Sequence, residues 1–261
     1  MNANAFDRYL ERASAVHRLD PRVKVIVTLA FIVAVALLPD GTWAAYGAAA
    51  LLIAATTAAA RLSPGLVLRR SLLGLPFLLA AVTVLFTVPG RALWEGPWGL
   101  VVTDGGLVRF SSITLRSLLS LGAAVLLTAT TRFPDVLHAL RHLRVPAVLV
   151  AIIAFMYRYL FVLVDEAQRL LRARAARSAR LPDARGGGSL AWRAAVVGHM
   201  AGQLFVRSLD RSERVYHAMQ ARGYRGELLT LAPHVMRRRD WLALMIGGMA
   251  IATVTLVGRI A

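Results

Sequence analysis

Six stretches of this chain are apolar and approach the length of a bilayer crossing: residues 23–38, 43–60, 71–89, 113–131, 146–164 and 241–258. A spanning helix takes about 20 predominantly apolar residues. In hydrocarbon no water bonds a bare amide, so each run has to satisfy its backbone within itself, as a helix. These runs restrict the fold class to an all-α integral membrane protein, and a mean hydropathy of +0.60 agrees with it. Asp20-Pro21 suits the start of the first helix, with Asp as N-cap and Pro at the first helical position. The Ala- and Thr-rich run 43–60 suits close packing on another helix. In the third run Pro76 is an expected kink. Residues 90–109 are expected to form a loop with Trp94 and Trp98 as interfacial anchors. Arg116 sits near the outer end of the fourth run and is expected to snorkel.

Charge decides which runs cross. The net charge of +17 lies between the apolar runs, as the positive-inside bias requires, and no basic-aromatic interleaving of a nucleic-acid binder accompanies it. Residues 132–240 hold 19 Arg against 8 Asp or Glu. If 146–164 crossed, the six Arg between 169 and 185 would face outside. Laid along the inner interface, that run leaves every basic segment in the cytoplasm. The expected organisation is a cytoplasmic N-terminal segment 1–22, a four-helix transmembrane region 23–131, a cytoplasmic or interfacial helical unit 132–240 and a C-terminal transmembrane helix 241–261. That makes about five transmembrane helices, with six or seven as the alternative, and a cytoplasmic N-terminus.

The residues offer little site chemistry. The single lysine, Lys24, follows Val23, so no Gly-Lys-Ser/Thr phosphate loop exists. Cysteine is absent, which removes disulfides and thiolate chemistry. His138 and His142 are four apart, as two ligands on one helical face would be, but Ala139 stands where a metalloprotease base belongs. They read as surface histidines. Arg158, inside an apolar run, reads as snorkelling or as pairing with Asp165 or Glu166. No metal site, no cofactor and no catalytic residue is expected.

Two helices carry the remaining signal. Residues 207–226, with Asp210 and Arg214 as an i,i+4 pair and an apolar side of Leu209, Val215, Met219 and Ala218, close on Ala221-Arg222-Gly223. Residues 166–178 close on Ala176-Arg177-Ser178. Cationic C-terminal turns are common and contribute only a fraction of a kcal/mol. A second use of these endings is to present guanidinium forks to carboxylates or carbonyls on a cytosolic partner, while the small neighbours allow close approach. Two copies suit a partner with two equivalent pockets.

The sequence resembles the transmembrane (T) component of energy-coupling factor (ECF) transporters, of the CbiQ type found in cobalt and nickel systems. The resemblance covers most of the chain. It rests on Leu19-Asp20-Pro21-Arg22-Val23-Lys24, on Tyr157-Arg158-Tyr159 followed by Glu166-Ala167 and Ala176-Arg177-Ser178, and most specifically on Arg211-Ser212-Glu213-Arg214 running to Ala218-Met219-Gln220-Ala221-Arg222-Gly223-Tyr224. It implies a non-catalytic coupling subunit in a bacterial plasma (inner) membrane. Ala176, Arg177, Ser178, Ala221, Arg222 and Gly223 would dock on a pair of ABC ATPase subunits. Arg158, Glu166 and Glu213 would have structural or coupling roles. The substrate, cobalt or nickel, would bind a separate membrane S component, CbiM-like or equivalent. A T component shared among vitamin-binding subunits is the alternative within the family. A membrane-embedded lipid-modifying enzyme is the alternative outside it, but it needs clustered acidic ligands and the acidic residues here are scattered.

Overall fold

The structure, a computed structural model, describes residues 9–74, 76, 79, 81–95, 101–177, 189–226 and 236–260. The chain divides into two compact units, one of residues 7–142 with 233–261 and one built on residues 143–232. The first unit holds helices α1 (Pro21–Ala36), α2 (Trp43–Ala59), α3 (Pro64–Ser71), α4 (Val84–Thr87), α5 (Asp104–Thr130), α6 (Phe133–His142) and α9 (Arg238–Ile260). The second holds α7 (Ala147–Arg177) and α8 (Leu190–Ala221). The one sheet among the described residues is a two-stranded antiparallel hairpin, β1 (Ala92–Glu95) with β2 (Val101–Thr103). The chain is an all-α membrane protein in class. By length and composition α5, α7 and α9 can each cross a bilayer, and α2 is a shorter apolar helix.

The core of the first unit lies among α1, α2, α5 and α9. Phe31 and Val35 on α1 pack with Tyr46 and Ala49 on α2, Leu119 and Ala123 on α5, and Ile251 and Val254 on α9. Ala45 and Ala49 are fully buried, four residues apart. Their small side chains let neighbouring helices approach, as the Ala-rich run suggested. Helix α1 starts as expected. Asp20 Oδ1 accepts from the Arg22 amide at 2.9 Å, and Pro21 occupies the first turn, where its missing N–H costs nothing.

The basic end of this unit is tied by buried polar groups. The Asp20 amide donates to Asp240 Oδ1 at 3.0 Å, and the Arg237 amide to Asp240 Oδ2 at 2.8 Å. Lys24 Nζ donates to the carbonyls of Thr130 at 3.0 Å and His17 at 3.2 Å. The ends of α1, α5 and α9 are thereby joined through bonds that satisfy buried charge, which would otherwise be costly.

Several expectations are corrected. Residues 71–89 do not form one continuous helix among the described residues. Helix α3 ends at Ser71, a 3-10 turn covers Leu72–Gly74, and α4 occupies Val84–Thr87. The turn falls just before Pro76, whose ring removes a helical donor and disfavours helix at the preceding residue. The 90–109 segment is not simply a loop. It contains the hairpin, and α5 begins at Asp104 because Thr103 Oγ1 caps it, accepting from the Gly106 amide at 3.0 Å. Trp94 is exposed, while Trp98 lies outside the described residues. Arg116 does not snorkel. It pairs with Asp40 Oδ1 and donates through Nε to the Tyr46 hydroxyl at 2.9 Å, which in turn donates to the Pro39 carbonyl at 2.9 Å. The α1–α2 turn is thus clasped to α5.

Candidate functional site

Helices α7 and α8 are 31 and 32 residues long and lie against each other. Helix α7 follows Val145-Pro146, and α8 is capped by Ser189 Oγ, which accepts from the Trp192 amide at 3.2 Å. Among the described residues α8 has no buried residue and α7 only Val150 and Ala151. The half-buried stripe of α8 is Val196, Met200, Leu204, Ser208, Arg211, Val215 and Met219. Val215 and Met219 were expected there. Leu209 was expected with them but is 50% exposed, and Ala218 is also exposed. Arg211 takes the place of Leu209, its aliphatic stem covering apolar surface while its head reaches water.

Three contacts set the direction of the pair. Arg174 of α7 lies over the Trp192 ring of α8 at 6.0 Å. Arg207 Nη1 meets Glu166 Oε1 at 2.7 Å, with Arg169 at 4.0 Å from the other carboxylate oxygen. Phe155, Met156 and Tyr159 share a groove of about 420 Å³ with Val215, Met219 and Tyr224. Rising numbers on one helix meet falling numbers on the other, so the pair is antiparallel. The C-terminal ends therefore point in opposite directions. Eleven residues separate Glu166 from Arg177 and fifteen separate Arg207 from Arg222. At about 1.5 Å per residue the two arginines stand about 40 Å apart.

Both ends are exposed. Ala176 and Arg177 close α7, while Ser178 lies outside the described residues. Ala221, Arg222 and Gly223 close α8 through a Schellman turn, in which the Gly223 amide donates to the Gln220 carbonyl at 2.9 Å and the Tyr224 amide to the Met219 carbonyl at 3.0 Å. Gly223 has φ of 81°, a conformation that strains any residue with a Cβ. The turn consumes the last carbonyls and fixes the direction in which Arg222 leaves the helix.

The other expected residues are placed differently from one another. Glu166 has a side chain 16% exposed and is held by Arg207, a partner 41 residues away for which the sequence carries no local signal. Arg158 is exposed, and no ion pair joins it to Asp165 or Glu166 among the described residues, so the pairing expected for it is not made. Glu213 is exposed and likewise forms no ion pair there. Arg214 Nε bonds the Asp210 carbonyl at 3.2 Å and not its carboxylate, which replaces the expected i,i+4 ion pair. In the other unit the rings of His138 and His142 are 5.0 Å apart, and the Arg22 guanidinium donates to His138 Nε2 at 3.1 Å, engaging the lone pair a metal would need.

The described geometry contains no assembled nucleophile or metal cluster; it is a pair of exposed cationic helix ends on a shared hairpin. The model of the CbiQ family, described as cobalt transport protein, matches residues 12–234. The chain belongs to this family. A CbiQ relative, the cobalt transport protein CbiQ of Salmonella typhimurium, is 27% identical over 59% of this chain and 70% of its own length. The energy-coupling factor transporter transmembrane protein EcfT of Lacticaseibacillus paracasei is 31% identical over 94% of each chain. The EcfT protein of Acidaminococcus fermentans is 31% identical over 84% of this chain and 82% of its own. These relatives place the chain among the T components of ECF transporters, and so among multi-pass membrane transport proteins.

Proposed function

We propose that this chain is the coupling subunit of an ECF-type ABC importer. It transmits ATP-driven motion of a cytosolic ATPase pair to a separate substrate-binding membrane subunit, the S component, and does not itself hydrolyse ATP. The observation that carries the reading is the antiparallel α7–α8 hairpin, whose Ala-Arg ends face opposite ways about 40 Å apart. Two such ends suit a partner with two equivalent pockets, as an ATPase dimer would offer. In each pocket Arg177 or Arg222 would meet carboxylates or carbonyls bidentately, and alanine or glycine beside it would let the partner backbone close in. When ATP draws the ATPases together, the two ends are pushed and the hairpin tilts. Its exposed apolar residues, such as Met156, Phe205 and Leu209, carry that tilt to the S component.

In this reading the N-terminus and residues 132–240 are cytoplasmic, and the apolar half of α7 lies along the inner interface of a bacterial plasma membrane. Its length would also permit a crossing, but the six following arginines favour the interface. The transported ion in this reading is cobalt, following the family's description, or nickel, which the sequence resemblance also implies. A T component shared among vitamin-binding subunits is the second reading; the EcfT relatives, whose names carry no metal, match more of the chain than the cobalt transport protein does.

Co-purification from native membranes tests the docking. The wild-type chain should retain an ATPase pair, and Arg177→Glu with Arg222→Glu should release it while the mutant stays helical and membrane-bound. Retention of the ATPases by the double mutant would refute this role for the two ends. Metal content or vitamin uptake of cells expressing the intact complex would then separate the two substrate readings.

A further inference from the structure

The first unit carries an apolar groove of about 340 Å³ among α1, α2, α5 and α9, open on the side where Thr56 and Ile246 are exposed. Its long axis follows the helices. The lining runs from Val23 to Phe31 on α1 and from Thr130 back to Ala123 on α5, eight and seven residues on and about 10–12 Å at 1.5 Å per residue. The walls are aliphatic, with Leu52, Ile53, Leu126 and Ile246 among them. The Thr56 and Thr130 hydroxyls are turned to carbonyls of their own helices. Lys24 lines the groove with its methylene stem, since its Nζ is bonded to the carbonyls of His17 and Thr130. An apolar cavity of roughly 150 Å³ already takes up a benzene-sized guest. A space more than twice that size, running along the helix axes of a membrane protein, suits an alkyl chain.

The end of the groove near Lys24 is marked by charge. Arg18 lies between the lining residues Val16 and Leu19, and Arg61 follows the lining residue Ala60. Both are exposed, and neither side chain has an ion pair or hydrogen bond among the described residues. Arg61 is held at φ of 55°, and the Arg12 guanidinium donates to its carbonyl at 2.6 Å. Of the nearby acids, Asp20 and Asp240 are buried and already bonded, Glu11 is paired with Arg132 at 3.0 Å, and the half-buried Asp135, which acts on Lys24, has an interaction of its own. The uncommitted groups at this end are cationic.

We propose that this groove binds one acyl chain of an anionic membrane phospholipid, with the phosphate headgroup held by Arg18 and Arg61. The lipid completes the packing among the four helices at the end where Lys24 and the aspartates tie them. The site is independent of the docking role of α7 and α8.

The test uses the full-length chain in its purified transporter complex, delipidated in detergent and titrated with phosphatidylglycerol or phosphatidylcholine of the same acyl composition. Retained lipid is read by native mass spectrometry. Two headgroup contacts of about 1 kcal/mol each predict a preference of about 30-fold for phosphatidylglycerol in the wild type. Arg18→Gln with Arg61→Gln should abolish that preference, lowering retention of phosphatidylglycerol far more than that of phosphatidylcholine, whose choline already offsets its phosphate. Ala250→Phe and, separately, Ala243→Phe should fill the groove and lower retention of both lipids, with helix content by circular dichroism confirming that each is folded. Equal retention of the two lipids by the wild type would overturn the headgroup assignment. Wild-type lipid retention by a folded filling variant would overturn the groove as the site, as would no retained lipid in the wild type.

Discussion

The first unit and the α7–α8 hairpin are both helical and both apolar, but they use their apolar residues in opposite ways. Helix α1 buries seven of its 16 residues among the described neighbours, whereas α8 buries none of its 32. In the first unit Ala45, Ala49, Val35 and Val254 face one another, and stability comes from close packing. In the hairpin the two helices meet along a narrow stripe, and residues such as Ile152, Met156, Phe205 and Val206 face outward. A surface of that kind marks contact with lipid or another protein. The lesson is that one unit is built to hold its shape and the other to be held by what it touches.

The sharpest way to break this contrast is to overfill the packed unit. Ala49→Leu inserts three carbons into a fully buried site and should cost about 1–3 kcal/mol, read as a lowered thermal midpoint. In the hairpin, Leu209→Ala removes a comparable amount of side chain from a 50% exposed site and should stay within about 0.5 kcal/mol. Equal losses from the two would erase the distinction.

Gly223→Ala should cost about 1–2 kcal/mol, since the residue sits at φ of 81°. The loss should appear as faster amide exchange at the end of α8, with little change in the first unit. Arg222 would then lose its fixed direction, and ATPase retention should fall without removal of the arginine itself.

Glu166→Arg and Arg207→Glu should each loosen the hairpin by about 0.2–1 kcal/mol, the range of a partly exposed ion pair. The combined swap should recover most of it. Proteolysis within the hairpin reads the difference, and a swap no better than either single change would show that the pair does not hold the helices.

The smallest expected effect lies at His17. Its Nε2 donates to the Leu10 carbonyl at 3.0 Å, and Ser14 Oγ lies 2.7 Å from its Nδ1. Burial lowers its pKa below 6.5; the Leu10 bond opposes this, and the Lys24 and Arg12 cations add to it. The unfolded chain therefore takes up this proton first. The stability His17 contributes is complete above about pH 6.5 and is lost as pH falls from there through the lower folded value. His17→Gln should flatten that part of the pH–stability curve.

What the sequence revealed was mostly local. Asp20-Pro21 capped α1 as read, Gly223 ended α8 as read, and the Ala-rich α2 packed closely, because each signal lies within a few residues of its effect. The joining of Glu166 to Arg207 and of Arg116 to Asp40 was not legible, since the partners are 41 and 76 residues apart and single charges carry no address. The start of α5 was missed because its first turns are polar and glycine-rich, so the apolar pattern begins only later, near Ile113. The stripe of α8 was misread at Leu209 and Ala218, the first because Arg211 occupies an apolar position with its stem. The opposite directions of the two Ala-Arg ends follow from the antiparallel pairing, which no motif encodes.

The most direct test of the central claim is a distance. The chain has no cysteine, so spin labels can be placed at Ala175→Cys and Ala218→Cys without removing native thiols. Counting nine residues from Glu166 and eleven from Arg207, the antiparallel hairpin predicts a separation of about 30 Å. Pulsed electron paramagnetic resonance on the complex should find that distance. A separation well under about 20 Å, which the antiparallel helix rise does not allow, would contradict the account.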